Sequence, residues 1–105
     1  MIIKGEDKYL WTKHSQYKMR HYSLSPQRVK RIIRHPARTE EAIIPGMIAS
    51  MQPASGKKYS EIWTIYKPSQ KSKNIKIITA WKYPGKSPVR NPIPQEILEE
   101  IKSII

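Results

Sequence analysis

Ile75-Lys76-Ile77-Ile78-Thr79-Ala80-Trp81-Lys82-Tyr83 sets Ile75, Ile77, Thr79, Trp81 and Tyr83 at every second position. That is the period of an extended strand, with these five side chains on one face. The residues are largely β-branched or aromatic, the types that fit a pleated, half-buried surface. Tyr59 to Lys67 has the same character, and the polar, lysine-rich segment Pro68 to Asn74 between them reads as a turn. Further upstream, Thr39 to Ile44 and Met47 to Gln52 flank Pro45-Gly46, a turn pair, and Pro53 to Lys58 is a loop. Four strands joined by short connections predict an antiparallel meander.

The first part of the chain carries a different period. Thr12 is suited to cap a helix running to about Tyr22, with Leu10, His14, Tyr17, His21 and Leu24 at helical spacing on one face and Lys13, Gln16 and Arg20 pointing away. In Leu24-Ser25-Pro26, Ser25 is a good N-cap and Pro26 fits the first helical position. The second helix stops before Pro36 and buries Val29, Ile32, Ile33 and Pro36, leaving Arg28, Lys30, Arg31 and Arg34 on the rest of its surface. Residues 84–93 are a proline-rich extended connector. A last amphipathic helix over 94–105 carries Ile97, Leu98, Ile101 and Ile105 on its apolar stripe and Glu96, Glu99 and Glu100 outside it. The predicted order is α-α-β-β-β-β-α in one domain over 1–105, with residues 1–11 as a lead-in. The predicted class is α+β, two layers, with helices packed on an antiparallel sheet.

The chain of 105 residues holds 20 Lys and Arg against 8 Asp and Glu, a formal charge of +12. Residues 1–38 hold ten basic and two acidic groups, residues 39–93 nine and three, and residues 94–105 one and three. A body this cationic attracts polyanions, of which nucleic acid is the usual one. Fourteen of the twenty cations are Lys and Ile dominates the aliphatics, a bias that composition alone also produces. With no Cys there is no disulfide framework, thiol nucleophile or thiolate zinc site. No apolar run approaches the roughly 20 residues that span a bilayer, and residues 1–7 have no signal-peptide core, which predicts a soluble, cytoplasmic protein without membrane partners.

Several chemistries lack their residues. There is no phosphate-binding glycine loop and no serine-hydrolase elbow. The acids are scattered, and Glu40 and Glu41 would face opposite ways on a strand, which disfavours a two-metal nuclease. His14, His21 and His35 show no metal-ligand spacing, so neither metal nor cofactor is expected. The remaining set of His, Lys, Arg and Tyr suits metal-free RNA cleavage, in which the 2′-hydroxyl is an internal nucleophile. The protein then supplies only a base, an acid and cations for the developing phosphorane charge. His14 is the candidate base or acid. The competing reading makes it a half-buried core histidine satisfied by backbone. Lys18 lies four residues on, on the same side of the helix. Arg20 is a second phosphate-handling candidate or a solvated residue, and His21 is core. Arg28, Arg31 and Arg34 form a solvated or phosphate-contacting face. Lys57 and Lys58 can clamp a backbone from their loop. Trp81 and Tyr83 either pack in the core or stack bases, with Lys82 facing the other way. Trp63 is core.

The run His14-Ser15-Gln16-Tyr17-Lys18-Met19-Arg20-His21-Tyr22-Ser23-Leu24-Ser25, the second helix with Val29, Ile33 and its stop at Pro36, and the strand end Ile77-Ile78-Thr79-Ala80-Trp81 resemble a family of small domains that looks like the RelE/BrnT-type toxins. The resemblance covers residues 12–83. Lys18, Tyr22 and Ser23 stand where that pattern has Arg, Arg and Gly. It implies a compact RelE-like α-α-β-sheet fold, metal-independent endoribonuclease activity of toxin–antitoxin type on RNA, catalysis by His14 with Lys18 and Arg20, and an acidic antitoxin protein as partner. The alternative is a non-catalytic nucleic-acid-binding domain of the same fold, and a third reading is a protein-interaction domain whose charge is compositional.

Overall fold

The computed structural model describes residues 8–42 and 44–104. Residues 1–7, which belong to the expected lead-in, and Ile43 and Ile105, expected at a strand end and on the last apolar stripe, lie outside the described residues. The element order is β1 (Tyr9–Trp11), α1 (Lys13–His21), α2 (Pro26–Arg34), β2 (Arg38–Glu41), β3 (Ile48–Pro53), β4 (Ser60–Pro68), β5 (Ile75–Pro84) and α3 (Gln95–Ile104). The fold is α+β with three helices and a five-stranded mixed sheet in the order β1-β5-β4-β3-β2. β2 to β5 form an antiparallel meander.

The sheet and its layers differ from the expected ones in three respects. The segment expected as a lead-in contains β1, which pairs parallel with β5 and makes the sheet mixed. Three residues are too few to show a period, so the strand has no signature of its own. The helices also do not form one layer. Met19, Leu24, Val29 and Ile32 of the α1–α2 hairpin pack with Ile62, Tyr66, Ile77 and Ala80 on one sheet face. Ile97, Leu98 and Ile101 of α3 pack with Met51, Trp63, Ile65, Ile78 and Trp81 on the other. The central strands are therefore buried on both sides, and β4 is buried from Glu61 to Tyr66. Finally, β5 does not keep Ile75, Ile77, Trp81 and Tyr83 on one face. Tyr66 pairs with Ile77 but Ile65 with Thr79, so Ile78 is an inserted residue. One extra residue reverses the facing of everything beyond it. Ile75 and Ile77 face α1 and α2, while Trp81 and Tyr83 face α3.

Local chemistry explains the helix ends. Thr12 and Ser25 act as the expected N-caps, their hydroxyls accepting from Ser15 N at 3.0 Å and Arg28 N at 3.1 Å. At the end of α1, Leu24 N donates to Met19 O and Ser23 N to Arg20 O, a Schellman closure that puts Ser23 at φ 56°. Between β2 and β3, Met47 N donates to Ile44 O across Pro45-Gly46, with Gly46 at φ 84°. This is a type II turn, whose third residue needs positive φ.

The face of α1 differs from the expected one. Leu10 lies on β1, and Tyr17 and His21 are exposed. The buried positions are Ser15, Lys18 and Met19. Pro36 is exposed rather than part of the α2 stripe.

Candidate functional site

Thr12 stands where the pairing of β1 with β5 ends. Its hydroxyl donates to Ile77 O at 2.7 Å, and its N–H bonds the same oxygen. Beyond Ile77, β1 no longer covers β5, and here α1 and α3 approach each other. His14 and Lys18, one turn apart on α1, both reach Glu100 of α3. His14 Nε2 lies 3.2 Å from Glu100 Oε1, and Lys18 Nζ lies 3.2 Å from both carboxylate oxygens. The side chains of His14 and Glu100 are 21% and 34% exposed, that of Lys18 only 9%. The Lys18 ammonium also sits 5.4 Å from the centre of the Tyr22 ring. Its aliphatic stem is buried while its charged end finds a carboxylate and a ring face.

The structure thus brings two of the three expected catalytic residues together and adds an acid to them. Glu100, expected on the solvent side of the last helix, turns toward α1. No sequence pattern links positions 86 residues apart, so only the excess of acids on α3 hinted at a basic neighbour. Arg20 is exposed and six residues from His14, which places it about 240° around the helix and outside this cluster. The Lys18 ammonium is paired with Glu100.

The other expected contacts separate in the same way. Trp81 is 2% exposed and its ring stacks on Trp63, with centroids 5.9 Å apart and planes 6° apart. No face is left for a base, so the base-stacking expectation for Trp81 gives way to core packing. Tyr83 is half-buried against the same cluster. Lys82 is exposed on the opposite face. Arg28 donates to Pro53 O at 2.9 Å, tying α2 to the end of β3. Arg31, Arg34, Lys57 and Lys58 are exposed. Among the described residues no three acidic or histidine side chains gather to hold a metal ion, and no helix is long and apolar enough to cross a membrane.

A second polar cluster joins three segments that no sequence pattern links. Glu61 on β4 is 1% exposed. Its carboxylate accepts from Ser87 Oγ at 2.5 Å, Ser87 N at 3.2 Å, Trp63 Nε1 at 3.1 Å and Tyr59 OH at 2.9 Å. Burial alone pushes this carboxyl up. The hydrogen bonds from Ser87, Trp63 and Tyr59 outweigh it and hold Glu61 below its ordinary value. Tyr59, donating to that carboxylate, is pushed above its ordinary value. Arg38 closes the cluster. It donates to Ser87 Oγ, Pro88 O, Val89 O and Glu40, and its guanidinium lies 5.4 Å from the Trp63 ring centre. These bonds fasten the proline-rich connector to the sheet.

No family model, curated protein or solved structure matches this chain.

Proposed function

We propose that this protein binds nucleic acid, with RNA as the first ligand to test, through its phosphate backbone. The observation that carries the reading is the state of its cations. Among the described residues Arg31, Arg34, Lys57, Lys58, Lys67, Lys71, Lys76 and Lys82 are exposed and form no ion pair. Such groups neutralise backbone phosphates and release the counterions condensed on them. Fluorescence anisotropy with a labelled 20-nucleotide RNA, between 50 and 500 mM salt, tests it. Affinity should fall linearly on a log–log plot with a slope of several units. Absence of binding at 50 mM salt, or binding indifferent to salt, would overturn the reading.

One observation favours a second reading, metal-independent cleavage of bound RNA, the activity of the toxin type. Glu100 Oε1 is placed to accept from His14 Nε2, which orients the ring and directs the other nitrogen to act as base. An acidic antitoxin protein would then be expected to cover the same cations. Incubation of end-labelled RNA with EDTA, comparing the parent with His14→Ala, decides it: cleavage by the parent alone supports the reading, and intact RNA with both removes it.

A further inference from the structure

The face of the sheet that α3 covers is open at its other end. There Leu10 of β1 lies in register with Lys76 of β5, and Lys76 with Lys67 of β4. Ile75, Ile77 and Tyr66 pack on the α1–α2 side, so their neighbours Lys76 and Lys67 face this opposite side. The row ends at the Pro45-Gly46 turn and Met47, and the polar segment after Pro68 forms its rim. Together they enclose an open groove of about 780 Å³. Leu10, 47% exposed, contributes apolar floor. Ser69 Oγ accepts from Lys71 N and Ser72 N, and Ser69 N bonds Asn74 O, which gives the rim turn a defined shape carrying Lys71.

Two features give the groove meaning. Lys67 and Lys76 are direct cross-strand partners. Like charges in that position repel and cost stability, unless an anion lies between them. Among the described residues neither has an acidic partner, and Glu41 is the lone acid of the lining. Among the described residues the lining also contains no aromatic ring. It therefore lacks stacking platforms for bases and offers cations over an aliphatic floor, which suits phosphate and sugar.

We infer that this groove is the seat of the phosphate backbone of a bound nucleic-acid strand, with Lys67 and Lys76 sharing one phosphate and Lys71 holding a neighbouring one, without base preference. The inference rests on the nucleic-acid reading above. Among the exposed cations of that reading, it assigns these two phosphates to Lys67, Lys71 and Lys76.

The test compares the parent, the triple variant Lys67→Ser/Lys71→Ser/Lys76→Ser and the control Lys86→Ser/Lys102→Ser, two exposed lysines away from the groove lining, each with labelled 20-nucleotide poly(U) and poly(A) across a salt series. The triple variant should bind both ligands at least tenfold more weakly, and its salt slope should be shallower by about 1.4, from roughly 0.7 for each of the two phosphates released. The control should stay within about threefold of the parent. Because the substitutions remove cross-strand repulsion, the triple variant should melt no lower than the parent. Should it fail to fold, Lys71→Ser alone, which releases the phosphate that Lys71 holds by itself, is read the same way, with a slope change of about 0.7. A triple variant that binds like the parent overturns the groove and leaves the nucleic-acid reading standing. A parent that binds neither ligand overturns both. Binding of a poly-glutamate peptide, lost in the triple variant while RNA binding is unchanged, overturns the groove assignment in favour of an acidic protein partner.

Discussion

Glu61 and Glu100 fasten the same C-terminal segment to the rest of the molecule, and they do so by opposite means. Glu61 is sealed inside the sheet layer and held by four hydrogen bonds from neutral groups, with Arg38 one atom further out, behind Ser87. Glu100 lies at a rim and is held by two basic side chains of α1. A buried carboxylate has lost its water and depends on every donor aimed at it, whereas a half-exposed one can turn back to solvent. The same chemical group is thus structural in one place and exchangeable in the other. Only the exchangeable one stands beside a histidine, the partly exposed His14.

The comparison breaks most readily at Glu61. Glu61→Ala leaves Ser87, Trp63 Nε1 and the Tyr59 hydroxyl without their acceptor. It should cost about 3–5 kcal/mol in urea unfolding. A loss below about 1 kcal/mol would show that water replaces the carboxylate and that the cluster is not a fastening.

Acid titration sharpens the same contrast. Glu61 has its carboxyl pKa lowered by folding, so the unfolded chain takes up its proton first. The stability it contributes is fully present above the ordinary glutamate value of about 4.3 and is lost as pH falls through the lower folded value. Unfolding free energy should therefore decline below about pH 4.5, and Glu61→Gln should flatten that decline. An identical acid limb in parent and variant would contradict the assignment.

At the rim the effects are smaller. Glu100→Ala strands the buried Lys18 amine and should cost about 1–2 kcal/mol, while Lys18→Met, which keeps the stem and removes the charge, should cost under about 1 kcal/mol. If Lys18→Met proves the more damaging, the pair is more than a tolerated rim contact. The smallest effect concerns neither carboxylate but the turn that orients α1 toward Glu100. Ser23 sits at φ 56°, where glycine carries no Cβ penalty. Ser23→Gly should raise stability by about 0.5–1 kcal/mol, read as a higher melting temperature.

Much of this architecture was legible along the chain. Ser25-Pro26 and the spacing of Val29 and Ile32 announce α2, and the four meander strands lie within a residue or two of their expected positions at most ends. The candidate site was legible only in part. His14 and Lys18 share a helix turn by simple spacing, and they do meet. Their partner Glu100 belongs to another element, and its choice depends on where β1 stops covering β5. The lysines of the open groove were invisible for the same reason. Lys67 and Lys76 belong to different strands, and nothing in either strand alone reports the register that sets them side by side.

Periodicity, capping residues and charge are properties of neighbouring positions, so the amino-acid sequence by itself determined the helices, the antiparallel meander and the cationic surface. Three matters were decided by tertiary structure alone. The bulge at Ile78 sent Trp81 and Tyr83 to the α3 side. The three-residue β1 found its parallel partner 66 positions away. The buried Glu61 was matched to a serine in a connector. Each joins groups far apart in the chain, where the loop-closure entropy is compensated only by burial of the whole sheet on both faces, and a local pattern carries no information about that balance.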